Sequence, residues 1–108
     1  MTPRDAIAKY VFHPYSSVVT VTFDPKKNVA NLRKHGVSLV EGDGVLNDPL
    51  AITIEDDSAE GEQRFVSVGT NSFGSLIVVA YAYRGDDVRL ISVRKAERRE
   101  RRAYEEGV

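Results

Sequence analysis

The side chains of this chain best suited to chemistry are Arg64, Arg94 and His35, together with the basic run Arg94-Lys95-Ala96-Glu97-Arg98-Arg99-Glu100-Arg101-Arg102. A guanidinium offers a planar fork of donors that matches a phosphate. An imidazole can take or give a proton near neutral pH. Alternation along the strands puts Arg64 on one face with Val66 and Val68, and Arg94 with Leu90 and Ser92, opposite Ile91 and Val93. An arginine on a face that carries core residues must reach solvent at the sheet's end or find an anion. The plainer alternative is a carboxylate at the edge of the core, such as Glu62 or Asp86. His35 follows Lys34 at the end of a helix, where capping the last carbonyls competes with acid–base work. In the basic run, Glu97 and Arg101 are spaced to pair, whereas Arg98 and Arg102 repel. A solvated helix held by ion pairs is the alternative to an anion-binding one.

The remainder of the composition narrows the field. The net charge of the 108 residues is −1, so the basic charge is segregated at the C-terminal end rather than spread. Segregation of this kind implies an anionic partner. With 42% apolar and 29% charged residues the chain reads as one globular domain with one core. Cysteine is absent, which removes disulfide and thiolate chemistry and suits a cytoplasmic location. His13 and His35 are the only histidines and no acidic loop has calcium-site spacing, so neither a metal nor a cofactor is expected. No apolar run reaches membrane-spanning length, and the first residues lack the basic-then-apolar pattern of a secretory signal.

These side chains need elements to position them. Residues 1–16 show no clear periodicity and read as an N-terminal extension ahead of a domain at 17–108. Val19-Thr20-Val21-Thr22-Phe23 alternates as a half-buried strand. Asp24-Pro25 supplies an N-cap and a first-turn proline for a helix to about His35, with Gly36 at its left-handed end. Ser38-Leu39-Val40-Glu41 has capping-box spacing and opens a second short helix, which Gly42 and Gly44 weaken by roughly 1 kcal/mol each. Strands follow over Leu50–Glu55, Gln63–Thr70, Ser75–Arg84 and Val88–Arg94, joined by short connectors that suit antiparallel hairpins. A last helix covers about Ala96 to Glu106. The order predicts an α+β fold: a twisted antiparallel sheet with two N-terminal helices and a C-terminal helix packed on it.

Several blocks together carry a family resemblance. Phe23-Asp24-Pro25-Lys26-Lys27-Asn28, Asn31-Leu32-Arg33-Lys34-His35-Gly36-Val37-Ser38 and Asn47-Asp48-Pro49-Leu50 come first. Gly61-Glu62-Gln63-Arg64-Phe65, Gly85-Asp86-Asp87-Val88-Arg89 and Ile91-Ser92-Val93-Arg94-Lys95-Ala96, running on to Tyr104-Glu105, follow in order. The ordered set over about residues 18–106 resembles the BrnT toxins of bacterial type II toxin–antitoxin systems. Gly42, Gly44, Tyr83 and the extension depart from that pattern; the basic positions do not.

The resemblance implies a RelE-like fold and a metal-independent ribonuclease that blocks translation. It further implies a BrnA-type antitoxin, whose ribbon-helix-helix domain contacts operator DNA on behalf of the pair. The family's polar signature falls on Lys34, His35, Arg64, Arg94, Arg98 and Glu100. Cleavage of RNA by its own 2′-hydroxyl needs a base, stabilisation of phosphorane charge and a proton for the leaving 5′-oxygen. Arg64 and Arg94 suit the charge, His35 or Glu100 the base, and Lys34 or protonated His35 the leaving group. Lys95, Arg98, Arg101 and Arg102 would hold the RNA backbone, with affinity falling as salt rises. The competing reading is a catalytically inactive module that docks the antitoxin and acts as co-repressor of its operon.

Overall fold

Both ends of the first helix are built as their residues dictate. Asp24 accepts a hydrogen bond from the Lys26 N–H at 2.9 Å, Pro25 opens the helix, and Gly36 closes it with φ of 73°. The computed structural model describes residues 8–12, 19–56 and 61–107. Residues 1–7 and 13–18, His13 among them, and most of the 57–61 connector lie outside them. The elements run β1 (Ala8–Phe12), β2 (Val19–Phe23), α1 (Pro25–His35), a 3-10 turn (Leu39–Glu41), α2 (Gly42–Leu46), β3 (Ile52–Asp56), β4 (Arg64–Thr70), β5 (Leu76–Arg84), β6 (Asp87–Lys95) and α3 (Arg98–Glu106).

The strands form one sheet in the order β1-β2-β6-β5-β4-β3. The four strands from β3 to β6 are hairpins, as their connectors require. Two features differ from the sequence reading. The sheet is mixed, because β2 pairs in parallel with β6 through Val21–Val88 and Thr22–Arg89. These strands stand at opposite ends of the chain, so no short loop dictates their relative direction. Ala8–Phe12, which shows no alternation, pairs antiparallel with β2 over five residues.

One face of the sheet carries the core. Val21, Phe23, Ile77, Val79, Tyr81, Val88, Leu90 and Val93 meet Val37, Leu39 and Val45 from the helical layer. The capping box at Ser38 and Glu41 is present and leads through the 3-10 turn into α2. The two glycines of α2 have a role that helix propensity hides. A Cβ on Gly44 would stand 2.8 Å from the Ser72 nitrogen and 3.0 Å from the Asn71 Cα. A Cβ on Gly42 would stand 3.1 Å from a Val79 methyl. Gly44→Ala is therefore expected to destabilise by about 1–3 kcal/mol through overpacking, although alanine is the better helix former. A urea melt showing a gain in stability would refute the steric account.

Candidate active site

β6 sets where the basic residues point, and it does so through an irregularity. The register with β5 shifts between Ala80 and Tyr81, so that Ala80 faces Ser92 but Tyr81 faces Leu90. Ile91 is the extra residue of a β-bulge. Leu90 and Val93 consequently both point into the core, while Ser92 and Arg94 share the opposite face. The simple alternation that grouped Leu90 with Arg94 is corrected by one bulged residue. Arg64 lies with Val66 and Val68, as expected, and pairing shows that this is also Arg94's face: Val68 opposes Val78, which opposes Arg94.

Arg64 and Arg94 share a face but not a place. Arg64 is in register with Ala82 and Arg94 with Val78, four residues away on β5. That separates them by roughly 13 Å along the strands and ~10 Å across two strand spacings. Each is also held by its own carboxylate. Arg64 donates to Glu62 through Nε (3.2 Å) and Nη2 (3.1 Å), and Arg84 stands 3.7 Å from the other Glu62 oxygen. Arg94 makes a two-pronged contact with Glu100, Nη1 to Oε1 at 2.8 Å and Nη2 to Oε2 at 2.6 Å. The two arginines do not converge on one phosphate.

Glu100 has its acceptors largely taken, because Oε1 also receives the Glu97 N–H at 2.8 Å as part of the cap of α3. The Arg94 hydrogen bonds, chiefly, hold its carboxyl below the ordinary glutamate range, and burial only partly opposes them. A carboxylate so stabilised is a weak base and a good brace. At the other end of α3, the Tyr104 hydroxyl donates to Asp48 Oδ2 at 2.7 Å. Burial raises the Asp48 pKa, but hydrogen bonds from the Thr70 N–H, Tyr104, the Leu50 N–H and the Thr70 hydroxyl outweigh it and leave the group lowered. No residue of α3 is buried. Among the described residues no ion pair forms within the helix. Arg94–Glu100 and Tyr104–Asp48 hold it instead.

Both carboxyls are more acidic folded than unfolded. Their stabilisation is complete above the unfolded values, at about pH 4, and is lost as pH falls below them. Acid is therefore expected to free α3 before the sheet melts, seen as early loss of amide protection confined to 98–106. Uniform loss across the sheet and α3 would contradict this.

His35 sits half-buried in the last turn of α1. With Lys34 it lines a shallow cleft of about 230 Å³ against Ile91 and Ser92 at the edge of β6. The same edge depends on a residue that sequence reasoning passes over. β2 pairs only as far as Arg89, and Asn31 takes the place of the missing strand. Its Nδ2 donates to the carbonyls of Val93 and Val37, both at 2.8 Å, and its Oδ1 accepts the Val93 N–H at 3.1 Å. Asn28 Oδ1 similarly receives the Leu39 N–H at 2.7 Å and the Ser38 hydroxyl at 3.0 Å. The signal that could reveal them is a pair of asparagines at i,i+3 on the helix while Val29 and Leu32 are exposed, the reverse of an ordinary amphipathic pattern.

Lys95, Arg98, Arg101 and Arg102 are all exposed at this end of the sheet. None meets a carboxylate among the described residues. Lys95 and Arg101 line a groove of about 440 Å³ together with Gly36. The structure thus brings Lys34, His35, Arg94, Lys95, Glu100 and Arg101 to one end of the sheet and leaves Arg64 at the other.

The class is that of small α+β domains with a mixed sheet, and here free and carboxylate-braced cations gather at one rim. Comparison with known proteins narrows the class. A family model described as the ribonuclease toxin BrnT of type II toxin–antitoxin systems matches residues 23–100, and the chain belongs to that family. Among solved structures it is similar to the Brucella abortus ribonuclease toxin BrnT. The TM-score is 0.55 at 22% identity, over 70% of this chain and 94% of that one. No curated protein matches. Among the described residues, no helix is long and apolar enough to cross a membrane.

Proposed function

We propose that this chain is an RNA-cleaving toxin that acts in the cytoplasm without a metal cofactor and inhibits translation. Its partner is read as a BrnA-type antitoxin that neutralises it and carries a ribbon-helix-helix domain for operator DNA, and its fold as RelE-like over residues 17–108. The observation that carries the reading is the Arg94 fork, aimed by Glu100 and placed at the sheet end that also holds Lys34 and His35.

The chemistry divides as follows. The nucleophile is the RNA's own 2′-hydroxyl, whose proton passes to a neutral His35 as the oxygen attacks phosphorus. Arg94 faces the charge that grows on the non-bridging oxygens, a preorganised electrostatic role. The bond to the 5′-oxygen breaks, a 2′,3′-cyclic phosphate remains, and Lys34 or the newly protonated His35 supplies the leaving group's proton. Glu100 acts through Arg94 as a positioning residue instead of as the base. Arg64 takes a separate phosphate of the same strand, and Lys95, Arg98, Arg101 and Arg102 grip the backbone.

The test uses the purified full chain, free of partner, with single-stranded RNA in the presence of a chelator. Cleavage to cyclic-phosphate ends is expected, together with loss of cleavage in an Arg64→Ala/Arg94→Ala double variant. If wild type and double variant leave RNA equally intact, the ribonuclease reading fails and antitoxin docking with co-repression remains.

A further inference from the structure

We propose that Phe73 and the groove beside it form a subsite for an unpaired nucleobase of single-stranded RNA. The inference rests on the ribonuclease reading and extends it to a residue outside the basic cluster. Phe73 is 82% exposed, the most exposed large apolar side chain among the described residues. A single exposed aromatic is ordinary on a protein surface, but this one is presented in an unusual way. It stands at the tip of the β4–β5 hairpin, and the buried Asn71 holds that tip. Asn71 Oδ1 accepts the N–H groups of Phe73 and Ser75, both at 2.9 Å, and its Nδ2 donates to Glu41 Oε1 at 2.7 Å. The Gly74 N–H returns to the Asn71 carbonyl at 3.0 Å, and Gly74 takes a left-handed φ of 82°. The ring is therefore displayed on a pre-formed turn and contributes little packing to the fold.

The surroundings select the ligand. The 440 Å³ groove at the foot of this turn is lined by Asn71, Gly74, Ser75, Lys95, Arg101 and Glu41. Its size falls within the ~300–1,000 Å³ range of small-ligand clefts. Lys95 and Arg101 meet no carboxylate among the described residues. Glu41 is occupied by Asn71 and by the Ser38 N–H at 3.4 Å. Cations around a backbone track with an aromatic face for a base are the combination by which single strands are held. The groove is also in the right place. Lys95 and Gly36, which both line it, are the chain neighbours of Arg94 and His35, so it opens at the end of the sheet where the strand would be cut.

The chain has no tryptophan, so Phe73→Trp supplies a lone indole reporter. The probe is a 2′-O-methyl hexanucleotide, which cannot be cleaved because its 2′-oxygen is blocked. Expected are quenching of the indole on titration and retained affinity in Phe73→Trp. Phe73→Ala and Phe73→Leu are expected to lose about 5–100-fold in affinity at unchanged melting temperature. Binding of Phe73→Ala within twofold of wild type, or an indole indifferent to RNA, overturns the subsite. An indole that responds to the antitoxin alone overturns it in favour of protein docking. Should wild type cleave RNA while the Phe73 variants behave as wild type, only this inference falls. Should wild type bind through Phe73 yet cleave nothing, the ribonuclease reading falls and the subsite stands.

Discussion

Arg94→Ala is expected to lower single-turnover RNA cleavage by about 10²–10³-fold, the usual loss for one preorganised transition-state donor. Arg64→Ala is expected to weaken RNA binding about tenfold and to reduce the salt slope of binding by about one, as for a phosphate contact. The asymmetry follows from position. Arg94 shares a strand face with Ser92, which lines the cleft that also holds Lys34 and His35, and its fork is aimed by both Glu100 oxygens. Arg64 occupies the far end of the same face, tied to Glu62. Arg94→Lys should recover little, because an ammonium cannot reproduce a two-pronged contact. Equal losses at the two positions, or a larger one at Arg64, would place the cut at the other end of the sheet. Melting temperatures of each variant separate lost chemistry from a loosened α3.

The second large effect is on stability. Asn31→Ala is expected to destabilise the fold by roughly 3 kcal/mol or more, since it leaves two carbonyls and one N–H without partners in a buried place, at about 1–3 kcal/mol each. For a domain of this size that is a fall in Tm of roughly 15 °C or more. Asn31→Asp should be at least as harmful, because the two carbonyls then face a carboxylate in place of their donor. A loss below about 1 kcal/mol would mean that water satisfies the β6 edge as well as the amide does. Since His35 lies one turn beyond Asn31 on the same helix, partial folding of this variant should also lower cleavage out of proportion to the folded fraction.

Most of the local architecture is legible in the order of residues. The caps at Asp24 and Gly36, the capping box at Ser38–Glu41, and the hairpins from β3 to β6 all follow from interactions a few residues apart. The pairing of Arg64 with a nearby carboxylate is legible too, and Glu62 is the partner found. The bulge at Ile91 is not, because a single added residue leaves an apolar-rich strand looking regular while exchanging its faces. Gly44 reads as a weakness because helix propensity is a property of the helix alone. The contact that requires it comes from the Asn71–Ser72 backbone, far away in sequence.

Sequence is enough to specify the helices, the hairpins from β3 to β6, their order, the family and where the basic residues cluster along the chain. Four things are settled by the packed chain alone. β2 runs parallel to β6, Arg64 and Arg94 lie at opposite ends of one face, Glu100 braces an arginine, and Asn31 substitutes for a missing strand. The division has one physical cause. Periodicity, caps and turns are set by neighbours within a turn or a hairpin. Register across strands, by contrast, is set by pairings between residues tens of positions apart, and one step of register moves a side chain to the other face of the sheet.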